Sequence, residues 1–218
     1  MSTGGRPPRT ELTERVNYFA VHYQDALACL RAAAAARPAV APLCRAAILN
    51  FHVALEALQN RVYAEFVDPK HPATLLAPLE RLPRMTRWYL APALLATGKA
   101  SGADLFKVDR EPWQTVQELV DIRNSMAHRR PESLELTVEG RIFAGERIPI
   151  PTRPTDPRSV WPHTRIPRHP DLLTVKHVTR IKEGVDQFVV EVSRVIPAAT
   201  SDWVSLRVSR VNKIIVGD

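Results

Sequence analysis

The sequence predicts an all-α protein, an up-and-down bundle of four to five helices with a small β-hairpin and loop inserted before the last helix. Three observations carry this prediction. Apolar residues recur at intervals of three and four through several long segments, which is the pattern of amphipathic helices. Prolines mark the starts and ends of these segments. Apolar residues make up 45% of the 218 positions, which is enough for a buried core.

The N-terminal third predicts two long helices behind a short leader. Residues 1–9 hold Gly, Pro and Arg without periodicity and are expected to form a flexible leader. A first helix is expected to begin at Thr10 and to end at Pro38. The second begins near Pro42, because proline suits a first helical turn, and continues to about Phe66. Its apolar stripe comprises Leu43, Ala47, Ile48, Phe51, Leu55, Leu58, Val62 and Phe66.

The middle of the chain predicts shorter helices and then one regular helix. Residues 73–97 have helical periodicity but contain three prolines, so short pieces with kinks are expected. A further helix starts with Pro112 in its first turn and runs through His128, with Trp113 and Leu119 directed inward.

Beyond this helix the pattern changes. Residues 134–170 form the predicted insertion: an alternating stretch with two glycines that favours a β-hairpin, followed by a Pro- and Arg-rich loop over 151–170. Helical periodicity returns over 172–196, which completes a helical domain over 10–196. The tail, 197–218, is expected to be a short strand or an extended arm.

Charge and composition narrow the classes of partner. Lys and Arg outnumber Asp and Glu by 30 to 23, a net charge of +7, which favours polyanions such as RNA, although a solvated basic surface explains the charge as well. Cys29 and Cys44 are expected to be buried thiols. No zinc-ligand spacing and no Gly-rich nucleotide fingerprint occurs in the sequence, so neither a metal nor a cofactor is expected.

The expected location is cytoplasmic. The first ten residues contain no apolar core of a secretory signal. The longest apolar stretches are interrupted by arginines and prolines, so no membrane span is expected.

One short stretch, "DIRNSMAHRRPE" at residues 121–132, concentrates chemistry at a helix end. Asn124 and His128 are four apart and therefore share a helical face. Arg123 and His128 are five apart, which on an ideal helix is about 140° of rotation, so their side chains diverge. If this helix end packs against its own copy across a two-fold axis, the Arg of one chain can approach the His of the other. A simpler interpretation is a helix C-terminus that favours cations.

These residue types suit RNA cleavage without a metal. Histidine titrates near neutral pH and can accept the proton of a 2′-hydroxyl or supply one to the leaving oxygen. Arginine is always charged and holds phosphate oxygens through paired donors. A dimer supplies two histidines, and an asparagine beside His128 can orient its ring.

The stretch "RNSMAH" resembles the Arg-x4–6-His signature of HEPN domains, in particular the RNase-type members of bacterial toxin–antitoxin and defence systems. The preceding "NFHVALEALQNRVY" is similar to the long early helix of those proteins. The resemblance covers residues 10–130 and extends to 172–196. It implies an all-α bundle, a homodimer and metal-independent cleavage of RNA, with an antitoxin protein as a possible partner. By the same resemblance Arg123, Asn124 and His128 would be active-site residues, and Glu56 a polar residue lining the cleft.

Arginines surround the motif and fill the insertion. Interleaved with Trp161, they suit single-stranded RNA, in which bases stack on aromatic rings and phosphates pair with charge. The residues expected to bind RNA are Arg129, Arg130, Arg153, Arg158, Arg165 and Arg168. A solvated, proline-rich loop explains the same composition. The alternative function is a non-catalytic HEPN-like module that binds nucleotide, RNA or a protein partner.

Overall fold

Six α-helices dominate the described part of the chain and confirm the all-α class. The computed structural model describes residues 10–15, 17–36, 40–70, 72–95, 106–128, 136–143, 145–154, 159–195 and 209–214. The helices are α1 (Tyr18–Ala35), α2 (Val40–Val62), α3 (Ala73–Glu80), α4 (Arg84–Leu95), α5 (Trp113–His128) and α6 (Val175–Val195). The predicted number was four to five. The difference lies in residues 73–97, where the expected short pieces form two separate helices.

The prediction of a helix start at Thr10 is wrong. Residues Thr10–Arg15 form strand β1, which pairs antiparallel with β4 (Ser209–Ile214). The two threonines of this segment, Thr10 and Thr13, favour an extended backbone there. Helix α1 starts at Tyr18, where the side chain of Asn17 caps the helix by accepting from the Ala20 amide at 3.3 Å. The tail thus contains a strand, one of its two predicted forms, whereas the leader, 1–9, lies outside the described residues.

Helix α2 is the central element of the core. It contacts α1, α5 and α6, and its buried side chains include Ile48, Phe51 and Leu58. The helical path continues beyond Val62 through a π-helical turn, Tyr63–Val67. By length and composition alone, Val40–Lys70 could also cross a membrane, a test that core helices of soluble proteins pass as well. The expected lack of a membrane span therefore stays a prediction.

Helices α5 and α6 pack closely beside an aromatic cluster. Trp88 lies edge-on to Phe188 with ring centroids 5.2 Å apart, and Phe106 stacks on Phe188 at 5.5 Å. Gly184 of α6 faces Thr115 of α5, where a Cβ on the glycine would lie 2.3 Å from the threonine Cγ2. This close approach fixes the position of α5, which carries the motif.

The insertion contains two strands and a packed loop. Strands β2 (Leu136–Phe143) and β3 (Glu146–Pro154) pair antiparallel where the sequence predicts a hairpin. Strand β3 extends to Pro154, beyond the residue at which the predicted loop begins, and its prolines lie opposite Gly140, Val138 and Leu136 of β2. The following segment, 159–173, is irregular as expected. It is nevertheless packed into the fold, with Thr164 and Ile166 fully buried.

Candidate functional site

The motif lies in the last two turns of α5. Arg123 is partly exposed and Asn124 is exposed. Arg123 Nη1 donates to Asn124 Oδ1 at 3.1 Å. The prediction that Asn124 orients His128 stays a prediction, and the contact described for Asn124 is the one with Arg123. His128 is the last residue of α5 and its side chain lies outside the described atoms, as do Arg129 and Arg130 altogether.

Next to Arg123 lies a polar cluster of three side chains, His52, Glu56 and Arg84, which we call the α2–α4 cluster. His52 and Glu56 are one turn apart on α2, and Arg84 is the first residue of α4. Arg84 forms an ion pair with Glu56 through Nη2. Its Nη1 lies 2.8 Å from Nε2 of His52. Backbone contacts fix it further, since the buried Gln59 donates to the Arg84 carbonyl at 2.9 Å.

The hydrogen bonds determine the protonation state of His52. A guanidinium can only donate, so His52 Nε2 accepts and the ring carries its proton on Nδ1. That nitrogen lies 3.5 Å from Oε2 of Glu56. Burial lowers the pKa of His52 to about 4, and the charges of Arg84 and Arg123 contribute in the same direction. His52 is therefore a neutral acceptor at physiological pH, not a proton donor.

Arg123 completes a site with excess positive charge. It acts electrostatically on both His52 and Arg84, and it lowers the pKa of Arg84 after the larger effect of burial. Arg84 contacts both the Glu56 carboxylate and the neutral His52 ring, and the charges of Arg123 and Arg87 act on Arg84. Arg84 and Glu56 remain 28% and 31% exposed, so the cluster is open to solvent. Such an arrangement attracts an anion, and phosphate suits the paired donors of arginine.

The sequence identified only part of this site. The resemblance implied that Glu56 lines the cleft, and its observed partners are Arg84 and His52. His52 could have been noticed, because it occupies a core position next to Phe51 in the apolar stripe of α2. Arg84 left no local signal, since it lies 28 residues from Glu56 along the chain and only the tertiary fold brings them together.

The insertion and α5 together form a pocket, which we call the insertion pocket. It is lined by residues that include Arg45 of α2, Ile122, Ser125 and Met126 of α5, and Trp161 and Arg168 of the insertion, and it has a volume of about 140 Å³. The guanidinium of Arg168 lies over the Trp161 ring at 4.3 Å from the centroid. Of the arginines predicted to bind RNA, Arg168 is therefore placed at a pocket.

The other predicted RNA-binding residues either are not among the described residues that line the insertion pocket or lie outside the described residues. Arg165 is exposed and adopts a left-handed backbone, with φ of 56°. Arg153 belongs to β3, and its side chain is outside the described atoms. Arg158 lies outside the described residues. The structure thus gives a defined environment to two of the six predicted residues.

Buried hydrogen bonds hold the 159–168 loop on α5. The carboxylate of Glu118, which is 4% exposed, accepts from the backbone amides of His163 at 3.1 Å and Thr164 at 2.5 Å. Arg180 of α6 donates to the Thr164 carbonyl at 3.1 Å. Glu118 was not a predicted functional residue, and its role is to position the loop.

Neither metal-ligand clusters within the described residues nor comparisons with known proteins assign a further function to the site. Within the described residues, no group of three or more His, Cys, Asp or Glu side chains is placed to hold a metal ion. Comparisons of the chain with family models, with characterised proteins and with solved structures found no match. The similarity to HEPN domains accordingly rests on the motif and its helical context.

Proposed function

We propose that the chain is a metal-independent endoribonuclease of the HEPN type that acts as a homodimer in the cytoplasm. The setting would be a toxin–antitoxin or defence system, in which an antitoxin protein restrains it. Arg123 holds the scissile phosphate and stabilises its developing charge. His128 takes or gives the proton, and Asn124 keeps the Arg123 guanidinium in place.

The observation that supports this proposal is the effect of the Arg123 charge on the α2–α4 cluster, where it acts on both His52 and Arg84. The Arg84 guanidinium is itself held by Glu56 and His52. Hydrogen-bond donors that are already in place need no reorganisation as negative charge develops on a phosphate. This preorganisation is the usual source of electrostatic stabilisation in catalysis.

Helix geometry explains why two chains are needed. The charge of Arg123 acts on His52 of α2, and on an ideal helix the position of His128 is about 140° further round from that of Arg123. His52 cannot substitute for His128 as an acid, because its pKa near 4 leaves it unprotonated at neutral pH. A two-fold contact between α5 ends would supply the proton-transfer group from the partner.

The test is complementation between two inactive variants, Arg123→Ala and His128→Ala. Each alone should lose cleavage of a mixed RNA in the presence of EDTA, while circular dichroism and sedimentation show a folded dimer. Co-refolded at equal amounts, they should regain about one quarter of wild-type activity, since half the dimers are mixed and each mixed dimer has one intact site. The products should carry 2′,3′-cyclic phosphates.

The outcomes separate the parts of the proposal. Activity of the wild type without recovery on mixing would contradict a site made of one Arg123 and one His128 from different chains. Wild-type protein that cleaves no RNA, and a His128→Ala variant that behaves identically, would contradict catalysis. Asp25→Ala, an exposed residue of α1, is the control for handling and refolding.

A second function is favoured by one observation, the neutral state of His52. Within the described residues, the charges of Arg84 and Arg123 exceed that of Glu56, and the buried His52 beside Arg84 is neutral and does not supply a proton at physiological pH. This suits a HEPN-like module that binds nucleotide or RNA without cleaving it. Such a module would bind RNA with equal affinity in the wild type and in His128→Ala, and would release no product from either.

A further inference from the structure

The insertion pocket has the chemistry of a base-binding site. Trp161 supplies a partly exposed aromatic ring, and the guanidinium of Arg168 lies over this ring at 4.3 Å from its centroid. Ile122 and Met126 of α5 supply apolar surface, as do Pro167 and Pro170 of the insertion. Nucleobases bind to proteins by stacking on aromatic rings and on guanidinium planes.

Most polar groups of the pocket are hydrogen-bond donors, and the Ser125 hydroxyl can both donate and accept. Arg45 and Arg168 contribute guanidinium groups and Ser125 contributes a hydroxyl, whereas none of the described lining residues is acidic. Proline has no amide hydrogen, and its carbonyl at Pro170 already accepts from Arg45 at 3.3 Å. A ligand with acceptors on one edge matches this set. Guanine presents two adjacent acceptors, O6 and N7, the arrangement that arginine recognises in a bidentate manner.

Contacts within the protein hold the residues of the pocket in place without a ligand. Arg45 is fixed by an ion pair with Asp171 at 2.8 Å. Trp161 donates its backbone amide to the Ile166 carbonyl at 2.8 Å, and Arg168 donates its own to Ser159 at 2.7 Å. Together with the two amides bound by Glu118, these contacts hold the loop against α5. Preorganised groups lose little freedom on binding, which raises affinity.

Size and position relate the pocket to the motif. Its volume, about 140 Å³, is below the roughly 300 Å³ at which pockets begin to enclose drug-sized ligands, so it admits one ring system and leaves a sugar and phosphate outside. Ile122 and Ser125 flank Arg123 and Asn124 in sequence. Because a helix is about 10–12 Å across, a base in the pocket and a phosphate at Arg123 are within reach of one short RNA strand.

We propose that the insertion pocket binds a guanine base of the RNA whose phosphate is held at Arg123, and thereby sets the sequence at which RNA is cut. The proposal rests on the proposed ribonuclease function for its biological purpose. Binding of the base itself does not require cleavage and can be measured separately.

The experiment is calorimetric titration of the full-length chain with 5′-GMP, 5′-AMP, 5′-CMP and 5′-UMP. GMP should bind at least 10-fold more tightly than the others. Ser125→Leu, which places a larger side chain of good helix propensity in the pocket, should abolish this preference. Arg168→Gln should weaken GMP binding at least 10-fold, whereas Arg31→Gln, the same change of charge at an exposed position of α1, should leave it unaltered. Thermal unfolding identifies any variant that fails to fold.

Equal affinity for the four nucleotides would overturn the proposal, and so would equal GMP binding in wild type and Ser125→Leu. Mapping of cut sites then distinguishes the two proposals. GMP binding in a protein that cleaves no RNA supports the pocket and contradicts the ribonuclease. Cleavage whose sequence preference is the same in wild type and Ser125→Leu supports the ribonuclease and contradicts the pocket.

Discussion

Arg84 Nη1 lies 2.8 Å from Nε2 of His52, so a permanently charged guanidinium donates to a ring that is only 2% exposed. The ring must stay neutral to accept this hydrogen bond. A second contact of the same guanidinium, with Glu56, balances its charge. The three side chains therefore depend on one another, and the protonation of one changes the stability of all.

The first prediction is that stability falls on acidification because of His52. Its pKa is about 4 in the folded chain against an ordinary value of 6.5. Between these values the unfolded chain binds more protons than the folded one, so the free energy of unfolding rises with pH in this window. The contribution of neutral His52 to the free energy of unfolding is at most about 3 kcal/mol. It is complete above pH ~6.5 and is lost as the pH falls toward ~4.

Substitution of His52 by Gln isolates this effect. Glutamine keeps an oxygen that can accept from Arg84 but cannot titrate. The free energy of unfolding is measured with urea at pH 4.5 and at pH 7. Its change between the two pH values should be smaller in His52→Gln than in the wild type by about 1–3 kcal/mol. The same difference in both proteins would mean that His52 is not the group responsible.

The second prediction is that Arg84 contributes to RNA binding through its geometry as well as its charge. Lysine at this position keeps the charge but cannot contact Glu56 and His52 while presenting a second pair of donors. In a His128→Ala background, which removes cleavage, Arg84→Lys should lower the affinity for a fluorescent single-stranded RNA by about 10-fold, the effect of one charged hydrogen bond.

Arg87→Lys is the matched control for this measurement. Arg87 lies one turn further along α4, and its guanidinium covers the Tyr63 ring at 4.5 Å from the centroid. The same chemical change there should leave RNA affinity unaltered. An equal loss in both variants would assign the effect to general disturbance of α4.

The sequence predicted those helices whose formation follows from the residue pattern within the helix itself. Apolar periodicity located α2, α5 and α6 to within a few residues, because each presents a continuous face to the core. The start of the first helix was predicted incorrectly, since the pairing of Thr10–Arg15 with Ser209–Ile214 joins segments about two hundred positions apart. No local pattern reports such a partner.

In the candidate site too, the sequence pointed to residues that are close together on one helix and not to those brought together by the tertiary fold. Arg123 and Asn124 were found from spacing on one helix. Arg84 and Glu118 were missed, because their importance comes from side chains and amides that lie 28 to 46 residues away in sequence. The loop over 159–170 was recognised as irregular, yet its buried contacts with α5 and α6 have no signature in composition.

The third prediction concerns Glu118, which holds the loop of the insertion. Glutamine in its place has one acceptor oxygen where the carboxylate has two, so one of the amides of His163 and Thr164 would face an NH2 group. Leaving a buried donor unsatisfied costs about 1–3 kcal/mol. Hydrogen exchange should become faster over residues 159–168 in Glu118→Gln.

The neighbouring exposed residue gives the comparison. Gln117→Ala alters the solvent side of the same turn of α5 and should not change exchange in the loop. If Glu118→Gln exchanges as slowly as the wild type over 159–168, the loop is held by its remaining contacts, among them Arg180 with the Thr164 carbonyl.

The fourth prediction is that Gly184→Ala destabilises the protein, although alanine is the better helix former by about 1 kcal/mol. The added Cβ would lie 2.3 Å from Thr115 Cγ2 and 2.9 Å from its Cβ, so α5 and α6 must move apart. Overpacking of this kind costs typically about 1–3 kcal/mol. Chemical denaturation of the variant should show a net loss of stability.

A double-mutant cycle decides whether this contact is the cause. Thr115→Ala removes Cγ2 and the hydroxyl but keeps Cβ, so it relieves the closest approach without introducing a second glycine. In the double variant the loss should be smaller than the sum of the two single losses by about 1 kcal/mol or more, as expected for residues in contact. Additive losses would show that α6 accommodates a methyl group at Gly184 by another route. The separation of α5 from α6, and with it the placement of Arg123, would then not depend on this glycine.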